Sequence, residues 1–225
     1  MAPRAPMTID VWSDVACPFC YVGKRRLLAA LAAFPHRDEV RVIWRAFQLQ
    51  PELVTDATRP LEAYLAERFS ASPDQVKQMN GRVQQMAKPE GIAFAFDKVV
   101  LANTFDAHRL LQLAQHEKMG DEAAERLMSA YFQEGRNVDD PAVLADLGAA
   151  LELSRAGVAG VLEGDGYADA VRRDLEEARE LGITGVPFFL FDRKYAISGA
   201  QPGPLFAQAI AQAHGEWRTA DQAEA

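Results

Sequence analysis

Hydrophobic residues recur at two different periods along this chain. In residues 8–13, TIDVWS, Ile9, Val11 and Ser13 alternate with Thr8, Asp10 and Trp12, the two-residue period of a short β-strand. From Tyr21 onward Val22, Leu27, Leu28, Leu31 and Phe34 fall at helical spacing. Alternation returns in residues 40–47, VRVIWRAF, with Val40, Val42, Trp44 and Ala46 on one face. Strand, helix and strand in this order open a βαβ unit. Residues 48–58, which contain Pro51, read as a connection.

The middle of the chain is helical in period. Tyr64, Leu65, Phe69, Val76, Met79, Val83 and Met86 recur mostly at three- and four-residue spacing. A break at Ser72-Pro73 suits a serine N-cap followed by proline in the first helical turn. Ile92, Phe94 and Phe96 alternate in a short extended piece. Further helices are expected over 103–118, 123–132 and 141–151, with shorter ones to about 181; Gly120, Gly135 and Gly182 mark stops. The aromatic and Met residues here read as core. Strand character returns in residues 187–191, PFFLF, then in 195–198 after a turn at Asp192-Arg193-Lys194, and residues 206–213 close as a helix. Strands at both ends and helices between predict an α/β protein. A sheet domain, residues 7–58 and 181–216, is interrupted by an inserted helical domain, residues 59–180.

Composition narrows the partners. The chain has 225 residues, 49% hydrophobic and 25% charged, which suits a globular protein whose core needs no disulfides. Its net charge of −8 argues against nucleic acid, whose phosphates require clustered Lys and Arg. The one basic cluster, Lys24-Arg25-Arg26, reads as a solvated helix face. No stretch approaches the roughly 20 apolar residues of a membrane span, and residues 1–7 lack the apolar region of a secretory leader. The expectation is a cytoplasmic protein with neither membrane nor nucleic-acid partner, in a compartment where structural disulfides are rare. No feature decides its oligomeric state.

The two cysteines, Cys17 and Cys20, form a C-x-x-C motif. Random placement would give that spacing in roughly 1% of such chains, so redox chemistry is the favoured reading. There is no second cysteine pair, and His36, His108, His116 and His214 are nowhere near zinc-finger spacing, so no metal site is expected. The motif falls where a strand ends and a helix begins, with Pro18 fitting the first helical turn. Unpaired N–H groups and the positive end of the macrodipole there favour a thiolate at Cys17 and lower its pKa. Pro18 and Phe19 bring no charge, so the helix terminus must supply most of that effect. Cys20, one turn on, is placed to resolve a mixed disulfide.

Residues 183–187, ITGVP, lead into the PFFLF strand. By itself Pro187 reads most simply as a strand-start proline. Beside a C-x-x-C motif the other reading is a cis proline, which leaves the preceding backbone free to pair with an extended peptide.

Four phrases together resemble the DsbA family of the thioredoxin superfamily, most closely its FrnE-like branch: DVACPFCYVG at 14–23, NTFDAH at 103–108, YFQEG at 131–135 and SGAQ at 198–201. The resemblance spans nearly the whole chain apart from its first six residues and the tail after about residue 217. It implies a thioredoxin-like fold with a large α-helical insertion and a thiol–disulfide oxidoreductase or isomerase acting on protein disulfides or dithiols. It implies Cys17 as nucleophile and Cys20 as resolving thiol in a redox-active centre supported by Pro18 and Phe19. Pro187 would be cis and face them, with Val186 offering backbone hydrogen bonds to a substrate peptide. No cofactor is required; glutathione is a candidate redox partner. Some FrnE relatives carry further cysteines near the C-terminus, and this chain has none, so no relay through a second pair is expected. The alternative is a glutathione-dependent transferase or isomerase acting on a small molecule, because kappa-class glutathione transferases and hydroxychromene-carboxylate isomerases resemble this chain in the helical insertion. They typically carry serine where Cys17 stands, and often Gly-x-Asp where this chain has Gly199-Ala200-Gln201, so both departures count against them. Candidate substrate or glutathione contacts are Asn103, Ser198 and Gln201. Asn103 has a competing reading as the N-cap of the helix from Thr104 onward.

Overall fold

The computed structural model describes residues 5–224. The leader expectation concerns residues 1–7, of which 1–4 lie outside the described residues.

The βαβ unit forms as read. β1 (Met7–Ser13) and β2 (Val40–Ala46) pair in parallel, Met7 opposite Val40 and Ser13 opposite Ala46, with α1 (Pro18–Ala32) between them in the chain. β3 (Phe188–Phe191) lies antiparallel along the other edge of β1, and β4 (Tyr195–Ser198) lies antiparallel on β3. The mixed four-stranded sheet therefore runs β2-β1-β3-β4. Its β3–β4 hairpin turns through Asp192 and Arg193 at φ 48° and 58°, the positive values that match the twist of paired strands.

A central strand is covered on both faces. Met7, Ile9 and Val11 join the main core with Leu27 and Leu31 of α1 and with Phe206 and Ile210 of α9 (Gly203–Glu224). Trp12 points the other way, against Ala178 of α8 (Ala168–Glu180) and Ile183, and its indole N–H donates to Asp174 O at 3.1 Å. Asp10 is buried on this second face and ion-paired with Arg45 at 2.7 Å.

Helices fill the chain between β2 and β3: α2 (Leu61–Arg68), α3 (Pro73–Ala87), α4 (Phe105–His116), α5 (Gly120–Ser129), α6 (Pro141–Ala149), α7 (Arg155–Glu163) and α8. The Ser72-Pro73 break is the start of α3, where Ser72 and Gln75 cap each other reciprocally. Gly135 and Gly182 end helical segments at φ 69° and 68°. Gly120 does not; it opens α5, and a Cβ there would stand 3.1 Å from the Trp44 ring. Lys118, at φ 66°, makes the turn instead. Among the described residues Ile92, Phe94 and Phe96 find no partner strand, and they form an irregular segment. Phe94 packs on Phe96, Phe132 and Tyr21 at 5.0, 5.1 and 6.2 Å, so this alternation reflects packing into a helical core. The closing helix is longer than its apolar period, with Trp217 beyond that period still packed against the core. Among the described residues no helix is long and apolar enough to cross a membrane.

Candidate functional site

The end of β1 positions both cysteines. Asp14 accepts from the Cys17 N–H through its backbone carbonyl at 3.1 Å and from the Ala16 N–H through its carboxylate at 3.3 Å, forming a tight turn. Cys17 is the N-cap of α1, in an extended conformation, with Pro18 as the first helical residue. Its carbonyl accepts from the N–H groups of Cys20 at 3.0 Å and Tyr21 at 3.4 Å. Both sulfurs thus lie on the first helical turn as free thiols, and both residues are buried. Phe19 between them is 41% exposed.

The facing wall comes from the other end of the chain. The Val186–Pro187 peptide is cis, so Pro187 is both a cis proline and the residue just before a strand. The Cys17 thiol donates to Val186 O at 3.6 Å. Pro187 O accepts from Gly199 N–H at 2.8 Å, which ties this wall to β4, while the Val186 N–H has no backbone partner among the described residues. Gly23 permits the approach. A Cβ there would lie 3.0 Å from both Pro187 Cγ and Phe189 Cζ.

Burial pushes the Cys20 thiol well above its ordinary value, and neighbouring Cys17 adds to the effect. The Asp14 backbone and the Ser13 hydroxyl act in the opposite direction without overcoming burial. Sequence reasoning missed the clamp beneath the motif. Asp14 also accepts from Leu49 N–H at 2.7 Å, and His108 Nε2 lies 3.0 Å from Phe47 O and 3.5 Å from Asp14 Oδ1. The connection after β2 is thereby fastened under the CPFC loop. Asp14 and His108 both fall in recognised phrases, but contacts between positions so far apart leave no local periodic signal.

Lys24-Arg25-Arg26 is not the solvated face expected of it. Helical rotation turns Lys24 inward, where it is buried and paired with Glu125 of α5 at 2.8 Å; Arg25 joins the same carboxylate at 2.6 Å and Tyr21 donates to it at 2.5 Å. Arg26 pairs with Glu90 at 2.6 Å and donates to Ala200 O at 2.8 Å. Burial draws the Lys24 amine below its ordinary value, an effect Glu125 only partly offsets. Burial also works to raise the Glu125 carboxyl, but Lys24, Tyr21 and Arg25 outweigh it and hold it low. Three consecutive cations therefore seam α1 to the segments around it.

Among the described residues Asn103 makes no hydrogen bond to either sulfur, and its amide is fully used within the chain. Its oxygen accepts from Gln48 Nε2 and Phe105 N–H, both at 2.9 Å, and its NH₂ donates to Pro51 O at 3.1 Å and Leu53 O at 2.9 Å. All four hydrogen-bonding positions of the amide are thereby occupied. The competing N-cap reading is off by one residue: Thr104 is the N-cap of α4 and makes no side-chain cap bond, while Asn103 accepts from the N–H of Phe105, the first helical residue. Ser198 lies at the exposed end of β4 opposite Phe188, and Gln201 folds back to donate to its carbonyl at 3.0 Å. Both lie near Gly199, whose N–H donates to Pro187 O, and among the described residues neither hydrogen-bonds to Cys17 or Cys20.

Comparison with known proteins agrees with this geometry. A probable DsbA oxidoreductase from Streptomyces coelicolor, SCO1869, superposes with a TM-score of 0.87 and 41% identity, over 93% of this chain and 91% of that one. The uncharacterised protein YwbO of Bacillus subtilis is 30% identical over 207 residues, 90% of this chain and 94% of its own length. At the level of fold alone, the cytosolic disulfide reductase DsbM from Pseudomonas aeruginosa, solved with GSH, gives a TM-score of 0.63 at 19% identity, covering 96% of this chain and 99% of that one. The model of the DSBA-like thioredoxin domain matches residues 8–211. With a four-stranded mixed sheet, a C-x-x-C pair at the mouth of its first helix and this match over nearly its full length, the chain belongs to the DSBA-like thioredoxin domain family of thiol–disulfide oxidoreductases.

Proposed function

We propose that the protein exchanges disulfides with protein substrates through Cys17 and Cys20. The observation that carries this is the placement of Cys17 at the N-cap of α1, its sulfur against Val186 O beside the cis Pro187, with Cys20 one turn behind. In the reductive direction the Cys17 thiolate attacks a substrate disulfide and forms a mixed disulfide, releasing one substrate thiolate, which takes up a proton. The Cys20 thiolate then attacks the Cys17 sulfur and releases the second. The substrate disulfide gains two electrons, and the Cys17–Cys20 pair, oxidised by the same two, closes as a disulfide. The steps reverse for a dithiol substrate.

The surroundings suit an extended peptide. The Val186 N–H can pair with a substrate carbonyl in the manner of strand addition, and the exposed Phe19 ring offers apolar contact next to the nucleophile. Pro18 holds the first turn in helical geometry without needing a hydrogen-bond partner. No cofactor enters these steps. Glutathione would serve as redox partner, two molecules forming glutathione disulfide as the Cys17–Cys20 disulfide is reduced. We place this exchange in the cytoplasm, where the pair cycles instead of serving as a permanent crosslink. The glutathione transferase or isomerase reading loses its anchor, because the Asn103 amide has no hydrogen-bonding position left for a ligand.

Insulin reduction and refolding of scrambled ribonuclease test the assignment. Cys17→Ser is expected to lose both activities, and turnover equal to the parent would refute it.

A further inference from the structure

A second cluster of chemically capable side chains stands apart from the cysteines. His36 and Glu39 share the turn between α1 and β2, and His214 reaches them from α9. One ligating atom from each lies within 4.8 Å of the other two. His214 Nε2 is 2.8 Å from Glu39 Oε2, and His36 Nδ1 is 3.9 Å from Glu39 Oε1.

The three residues differ in freedom. His214 is buried, with the edge of Phe34 at 5.0 Å and the Trp217 ring at 5.4 Å. The His36 side chain is 45% exposed and stacks on His214, with ring centroids 4.9 Å apart and planes 13° from parallel. Parallel rings do not aim their lone pairs at one point, so His36 must swing out of the stack to share an ion with His214. Its exposure leaves room for that rotation. A tetrahedral ion with bonds of about 2.0–2.1 Å holds its donors roughly 3.3 Å apart. Glu39 and His214 are already closer than that at 2.8 Å, so the His36 ring, its Nδ1 3.9 Å from Glu39 Oε1, supplies the remaining closure.

Two imidazoles and a carboxylate form a donor set that suits zinc, copper or nickel, with a fourth position left to solvent. We propose that His36, Glu39 and His214 bind a divalent first-row transition ion, zinc foremost, and that the ion fastens α9 to the turn between α1 and β2. Histidine spacing in the sequence gives no hint of this, because the third ligand lies 175 positions from Glu39. Arg218 is close enough to Glu39 to act on its charge and so opposes a cation, which weakens binding relative to the same three ligands without it. The ion stabilises the folded state by mass action, so the melting temperature rises with its concentration.

The test uses untagged protein with Cys17 and Cys20 oxidised to a disulfide, which removes the thiols as ligands. Titration with Co²⁺, followed by displacement with Zn²⁺, is expected to show one saturable equivalent, visible d–d bands and no sulfur-to-metal charge-transfer band. His36→Ala and Glu39→Gln, each checked for native circular dichroism, should weaken binding at least tenfold. His116→Ala, which removes an exposed histidine elsewhere, should leave it unchanged. Absence of saturable binding in the parent, or equal binding in parent and His36→Ala, would overturn the site.

Discussion

Cys20 sits where its proton is favoured. Burial and the neighbouring Cys17 raise its thiol well above the ordinary 9.0. Part of that rise belongs to Cys17 and would disappear once the Cys17 sulfur enters the mixed disulfide of the proposed exchange, so that reaction would itself ease ionisation of Cys20. The same shift links folding to pH. The native state holds the Cys20 proton more tightly than the unfolded chain, so its contribution to stability is complete below pH 9 and declines as pH rises above it. Tyr21, raised to about 12 mainly by burial and then by Glu125, has the same sign, but its loss begins only above its ordinary 10.0. Denaturant unfolding of the reduced parent should therefore show stability falling from pH 8.5 to 10 more steeply than in reduced Cys20→Ser. Parallel curves would mean that Cys20 keeps an ordinary pKa.

Helix α1 carries the candidate site at its start and two structural devices behind it. Gly23 is the contact point with Pro187 and Phe189, so Gly23→Ala is expected to cost about 1–3 kcal/mol as an overpacked position. It should also lower insulin reductase activity by pushing the Val186 carbonyl away from Cys17; stability loss with unchanged turnover would separate the wall from the reaction. One residue on, Glu125→Ala would leave Lys24 buried without its partner, a loss of roughly 3 kcal/mol readable by urea denaturation. Adding Lys24→Met to that variant should recover much of it. The period of Val22, Leu27 and Leu31 made this helix legible in the sequence. The direction of Lys24 was not legible, because a run of three cations looks solvated and its carboxylate lies 101 positions away. Gly120 misled for a related reason: close packing against Trp44 favours glycine there, as a helix stop would.

Across the whole molecule, the candidate site is a meeting of the two chain ends. Cys17 and Val186 are 169 positions apart, and the antiparallel pairing of β3 on β1 brings them together. The sheet, the helical middle and the C-x-x-C motif were readable because each has a local period or spacing. The cis state of Pro187 was reached only through the C-x-x-C motif and the family resemblance, since the local sequence reads as a strand-start proline, while the Asp14–His108 clamp and the saturated Asn103 amide had no signal because each depends on partners supplied only by the folded chain. The most direct measurement of the central claim is trapping with a disulfide-bonded peptide, followed by mass spectrometry of the adducts. Cys20→Ala should accumulate the peptide on Cys17, whereas the parent should release it and finish with a Cys17–Cys20 disulfide. An absence of adduct at Cys17, or an adduct that the parent fails to release, would contradict the account.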